Sequence, residues 1–121
     1  MRPKMTGMPP STNITRTPLA TLEISPATTV NHVQVTRLGF QPGQITGRHF
    51  HPMPVITHVE SGAFVVQIEG QPPRRYGIGE IIYEPANTTI ERYDNDSQTA
   101  SASVIAYYLA AEQDQKLIEM L

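Results

Sequence analysis

From residue 30 onward the chain is a succession of short β-branched and aromatic runs, each closed by a turn bearing glycine, proline, asparagine or aspartate. The run at 33–40 ends at Gln41-Pro42-Gly43, and the stretch 55–68 is broken by Ser61-Gly62. Gly70-Gln71-Pro72-Pro73 precedes Arg74, Arg75 and Tyr76, and Gly77-Ile78-Gly79 precedes Ile81-Ile82-Tyr83. Pro85-Ala86-Asn87 and Asp94-Asn95-Asp96 enclose a further extended segment, and a last apolar run covers 102–109. Runs this short cannot make helices that bury an apolar stripe. Many short strands with a breaker at each corner instead specify an all-β sandwich or barrel.

The ends of the chain read differently. Residues 1–18 are rich in Pro, Thr, Ser and Met without periodicity, and are expected to form a flexible amino-terminal arm. Residues 17–24 could add a short strand before Ser25-Pro26. In 111–121 the spacing of Leu117, Ile118 and Leu121 predicts a short carboxy-terminal helix. Residues 19–121 then make one domain, large enough to bury a core without staples.

Composition removes several function classes. The formal net charge of −2 lacks the basic surface of a nucleic-acid binder, and the one adjacent basic pair, Arg74-Arg75, reads as a solvated turn. With no cysteine, disulfides, thiol catalysis and thiolate metal sites are excluded. No apolar run reaches membrane-spanning length and no apolar region follows Arg2 and Lys4, so a soluble, cytoplasmic protein is expected.

The chemistry concentrates at His49-Phe50-His51-Pro52. Alternate residues of a strand share a face, so both imidazoles are expected to look into one space. Imidazole ligates divalent metals and transfers protons near neutral pH. His58 and His32 read as strand histidines at or near the surface, and Tyr107 and Tyr108 must face opposite sides.

These residues and their spacing resemble a small single-domain cupin. The first motif of that family is Gly, five residues, His-x-His, three or four residues, Glu, six residues, Gly. The chain has Gly43, His49-Phe50-His51, Val55 and Gly62 in that frame. The second motif is Gly, five residues, Pro-x-Gly, two residues, His, three residues, Asn, and here Gly79, Pro85-Ala86-Asn87, Ile90 and Asp94 take those places. The resemblance spans residues 33–109 and implies a double-stranded β-helix, or jelly-roll barrel. In metal-binding members both first-motif histidines, its glutamate and the second-motif histidine surround one divalent ion. By that correspondence His49 and His51 are kept, while Val55 and Ile90 cannot coordinate anything.

The expected site is therefore an apolar barrel pocket for a small organic molecule, lined by Val55, Tyr83 and Ile90, with His49 and His51 as its polar groups. An acid–base enzyme of the isomerase, cyclase or lyase kind would use His49 or His51 with Glu84 as partner. Glu84 before Pro85 could equally be a carboxylate that steadies a turn. An alternative is a metal-dependent, dioxygenase-like enzyme with a non-standard third ligand. His58, Glu84, Glu91 and Tyr93 are the donors in reach by sequence, although regular strands turn His58 and Glu91 away from Val55 and Ile90. A non-catalytic binding or assembly module is the third option. No DNA-binding helix-turn-helix accompanies the barrel, and the resemblance implies a homodimer, for which the amino-terminal arm and Leu117, Ile118, Met120 and Leu121 offer apolar contact.

Overall fold

The computed structural model describes residues 13–121. Nine strands follow in order: β1 (His32–Phe40), β2 (His49–Phe50), β3 (Val55–Ser61), β4 (Phe64–Ile68), β5 (Arg74–Tyr76), β6 (Ile81–Glu84), β7 (Ile90–Asn95), β8 (Ala102–Ala110) and β9 (Glu119–Met120). They form two antiparallel sheets, one in the order β1-β8-β3-β6 and the other β5-β4-β7-β2-β9. Strand neighbours in space are mostly distant in sequence, as in β8 running between β1 and β3.

Alternation places the core. In β3 Val55, Thr57 and Val59 are buried and Ile56 and His58 half-buried, and in β8 every second residue from Ala102 to Ala110 is buried. Between the sheets Phe40 meets the edge of Phe64 at 5.0 Å, and Phe64 lies 5.5 Å from Tyr93. Burying a ring such as Phe64 stabilises the fold by about 1.5–3 kcal/mol. These rings fill one end of the interior together with Val59, Ile82, Ile90 and Val104. The other end is built from Met53, Val55, Ala106 and Tyr108.

Two backbone positions hold the corners. Gly62, between β3 and β4, has φ +75°, and a Cβ there would stand 2.6 Å from the Cβ of Ala102. Asn87 adopts φ +56° where the motif has glycine, a conformation asparagine tolerates better than other residues with side chains. Its N–H donates to the His51 carbonyl at 2.7 Å, tying the turn after β6 to the histidine segment.

The termini depart from expectation. Residues 1–12, most of the expected arm, lie outside the described residues, while 13–18 are exposed and carry no strand. No strand forms at 17–24. Instead residues 24–28 border a small cleft with Pro52, Pro54, Tyr83 and Asn87. The expected helix at 111–121 is absent as well. A segment of that length gains little as an isolated helix. Here β9 pairs with β2 (His49 with Met120, Phe50 with Glu119), and the Leu121 N–H donates to the Arg48 carbonyl at 3.0 Å. Tertiary hydrogen bonds therefore override local spacing. Among the described residues no helix is long and apolar enough to cross a membrane.

Gly62→Ala is expected to destabilise the protein by about 1–3 kcal/mol, since it combines a strained φ with a backbone-side contact that cannot relax. Asn87→Gly should leave stability within about 1 kcal/mol of the parent. Urea unfolding curves of the two variants provide the check.

Candidate metal centre

His49 and His51 flank Phe50 on β2 and its continuation, and both are buried, with 2% and 5% of their surface exposed. Each ring is fixed from behind. The Nδ1 of His49 lies 2.8 Å from the Gly47 carbonyl, and the Nδ1 of His51 lies 2.8 Å from the Leu117 carbonyl. A carbonyl only accepts, so both rings carry the proton on Nδ1 and present Nε2 forward. Backbone carbonyls behind imidazoles are the usual means of fixing a ligand histidine's tautomer and direction.

Both Nε2 atoms converge on one oxygen. Glu84 Oε1 lies 3.0 Å from His51 Nε2 and 3.3 Å from His49 Nε2. Glu84 is itself only 2% exposed. It reaches this place because β6 pairs with β3, setting Glu84 directly across from Val55. The partners on an antiparallel pair share a face. In the same way Ile90 on β7 stands directly across from His49.

The arrangement needs positive charge. If both rings were neutral, two lone pairs would meet an ionised carboxylate oxygen. One proton serves one of the two contacts, whereas one divalent cation among three donors satisfies both. The donor atoms of His49, His51 and Glu84 all lie within 4.8 Å of one another. Ligand bonds of about 2.1 Å would separate donors by about 3.0 Å at right angles and about 3.4 Å at tetrahedral angles. The separations of 3.0 and 3.3 Å fit that range. The three residues therefore suit a divalent ion, and among the described residues no further histidine or carboxylate joins them.

The titration behaviour of the trio follows from burial opposed by mutual attraction. Burial alone would push His51 down, but the hydrogen bond and charge of Glu84, with the Leu117 carbonyl, hold its pKa above the ordinary value. Burial alone would push Glu84 up, but hydrogen bonds from His49 and His51 and their charge hold it below the usual carboxylate range. Burial foremost, with the Glu84 charge added, raises both Tyr93 and Tyr108, which keeps their hydroxyls protonated.

A cavity of about 50 Å³ adjoins the trio, walled by Leu38, Phe40, Val55, Tyr93, Tyr108 and Ile118 among others. The Tyr93 hydroxyl is engaged with Thr57 Oγ1 at 2.6 Å, and the Tyr108 ring stands 5.9 Å from that of His51. The space is far smaller than the roughly 300–1,000 Å³ typical of organic-ligand pockets. It suits an ion with a water or a ligand of a few atoms. A larger groove of about 650 Å³ beside Arg75, Ile78 and Asp96 is open to solvent and carries the exposed Arg75–Asp96 ion pair.

Comparison with known proteins agrees with this fold. The cupin domain model matches residues 36–108. The chain is a cupin. Among solved structures, this cupin is similar to a cupin-like protein from Thermotoga maritima, with 25% identity, a TM-score of 0.62, and coverage of 74% of this chain and 64% of the other. It is also similar to an oxalate oxidase in complex with the substrate analogue glycolate (22% identity, TM-score 0.62, 74% and 46% coverage). A third likeness is to the DMSP lyase DddQ of Ruegeria pomeroyi, with 17% identity, a TM-score of 0.62, and 73% and 42% coverage. The cupin thus spans less than two thirds of the length of these solved chains. Curated protein sequences yield no significant match.

Set against the sequence reading, the structure brings His49, His51 and Glu84 together and keeps Val55 at the cavity wall. It turns Tyr83 away, since Ile82 and Glu84 take the buried phase of β6 and Tyr83 faces the outer cleft with Pro52 and Pro54. Ile90 is fully buried but packs in the aromatic end of the core. His58 is no extra donor: it holds the outward phase of β3 between Val59 and Thr57. Glu91 pairs outside with Arg48 at 2.7 Å. The apolar pocket with only two imidazoles is corrected by the buried carboxylate of Glu84 between them.

The metal-free protein is expected to be most stable between the ordinary pKa values of 4.5 for Glu84 and 6.5 for His51. With its folded pKa raised, His51 contributes stability that is complete below 6.5 and lost as pH climbs through the folded value. With its folded pKa depressed, Glu84 contributes stability present above 4.5 and lost as pH falls through the folded value. Thermal unfolding in chelator across pH 3–9 (order of magnitude of the two titrations, about three units either side of six) tests this. A Tm that rises steadily toward alkaline pH would contradict it.

Proposed function

We infer that this cupin is a divalent-metal protein that acts on, or binds, a small anionic molecule at the barrel interior. The observation that carries the reading is the convergence of His49, His51 and Glu84, with both Nε2 atoms aimed at one carboxylate oxygen. Two imidazoles and one carboxylate form a donor set for ions that keep open positions for water or substrate. When bound, such an ion supplies Lewis acidity, and with a redox-active metal also oxygen chemistry.

The chain's own groups define what could share the pocket. Two neutral histidines and one carboxylate would leave a divalent ion with one unit of uncompensated positive charge. Among the described residues no lysine or arginine lines the cavity, so an anion's attraction there would come from the ion. The small volume and the largely apolar wall of aliphatic and aromatic side chains favour a compact carboxylate over a large or strongly hydrated ligand. The structural likeness to an oxalate oxidase holding glycolate supports the same ligand class. Tyr108, kept protonated by burial, can donate its hydroxyl hydrogen to such a ligand but will not serve as a base at neutral pH.

Protein purified without an affinity tag is expected to hold one divalent ion per chain by elemental analysis. His49→Ala, His51→Ala and Glu84→Ala should each weaken binding on the order of 100-fold or more, while His58→Ala should leave it unchanged. Retention of full occupancy in Glu84→Ala would overturn the reading.

Small carboxylates such as glycolate or oxalate should raise the Tm of the metal-loaded protein in a concentration-dependent way. They should have no effect on the chelated protein. An equal shift in both forms would place the anion site away from the three donors.

A further inference from the structure

The wall of the cavity contributed by residues 117–121 differs from the others in how it is attached. Ile118 lines the cavity, and the Leu117 carbonyl is the acceptor behind His51. The segment is held by the two-residue pairing of β9 with β2 and by the Leu121 N–H bond to the Arg48 carbonyl. The exposed ion pair of Glu119 with the preceding Lys116, at 3.1 Å, ties the segment to no other strand. Apart from the histidine segment and Thr46, whose hydroxyl donates to the Tyr93 carbonyl at 2.7 Å, the remaining walls belong to the paired strands β1, β3, β6, β7 and β8. His49 and His51, at 2% and 5% exposure, offer a ligand from solution little surface while the walls stay in place.

We propose that residues 117–121 form a gate whose opening also releases His51, so that access to the site and the orientation of one of its two histidines change together. When the segment lifts, the Leu117 carbonyl leaves Nδ1 of His51, and the ring is free to turn or to change tautomer. The backbone of His49 loses its pairing with Met120 in the same event, but its ring keeps its anchor, because the Nδ1 partner is Gly47, two residues away and outside the segment. The two histidines thus have unequal anchors: one is local, the other belongs to a removable wall. The inference concerns the metal-free protein as much as the loaded one, and it stands or falls separately from the metal reading.

The absence of cysteine from the chain allows a clean test. Phe50 and Glu119 are directly paired across β2 and β9, within reach of an engineered disulfide. In the full-length, metal-free F50C/E119C protein, diethyl pyrocarbonate should modify His49 and His51 at least about tenfold more slowly when oxidised than when reduced, as expected if opening precedes reaction. Exposed His32 and half-buried His58 should react equally in both states and serve as internal controls. Equal rates at His49 and His51 in the two states would overturn the gate.

The coupling to His51 is read separately, from imidazole ¹⁵N shifts of Leu117→Ser, which weakens the seat of the segment against Met53, Val55 and Tyr108. At a pH where the rings are neutral, His51 should lose its preference for the Nδ1–H tautomer while His49 keeps it. Unchanged shifts at His51 despite faster modification, or equal changes at both rings, would refute the coupling.

Discussion

Everything distinctive about the interior of this protein depends on the prior commitment of two Nδ1 atoms. Once Gly47 and Leu117 accept those protons, both imidazoles have only Nε2 left to offer, and both point it at Glu84. Three buried donors facing one another is a costly arrangement unless a cation joins them. The fold carries that cost in the open space between its sheets, where the aromatic cluster of Phe40, Phe64 and Tyr93 supplies apolar burial at one end. The site is placed at the other end, where Tyr108 and Val55 close it from the side.

The fold was legible because its signals are local. The β-branched and aromatic runs that become β3 and β8, and the turn residues at Gly62 and Asn87, can be seen in any short window of the chain. The direction of His49 and His51 was legible for the same reason. Glu84 is legible as a partner of the histidines or as a turn carboxylate, but the choice between them is not, because Ile81-Ile82-Tyr83-Glu84 has no apolar alternation to show which phase points inward. The same ambiguity leaves Tyr83 as eligible for the pocket as its neighbours. Only the register of β6 on β3 decides between them, and register is a property of two distant segments.

The carboxy-terminal segment shows the opposite failure. Its spacing of Leu117, Ile118 and Leu121 is a fair local signal for a helix, yet the chain lies as a strand along β2. What prevails is the demand of a free strand edge for hydrogen-bond partners, joined to the demand of His51 for an acceptor. Neither is written in the segment itself.

The pairing of Val55 with Glu84 has a consequence for how such centres are recognised. A linear motif records a donor as belonging to one strand, but the ion would sense only the rung of the ladder on which that donor stands. Exchanging the two residues of a single rung moves the carboxylate between strands without shifting the backbone or changing the chemistry offered. Two barrels with the same carboxylate in space can therefore disagree at the motif's acidic position, and a donor that looks lost along the chain can be kept across the sheet.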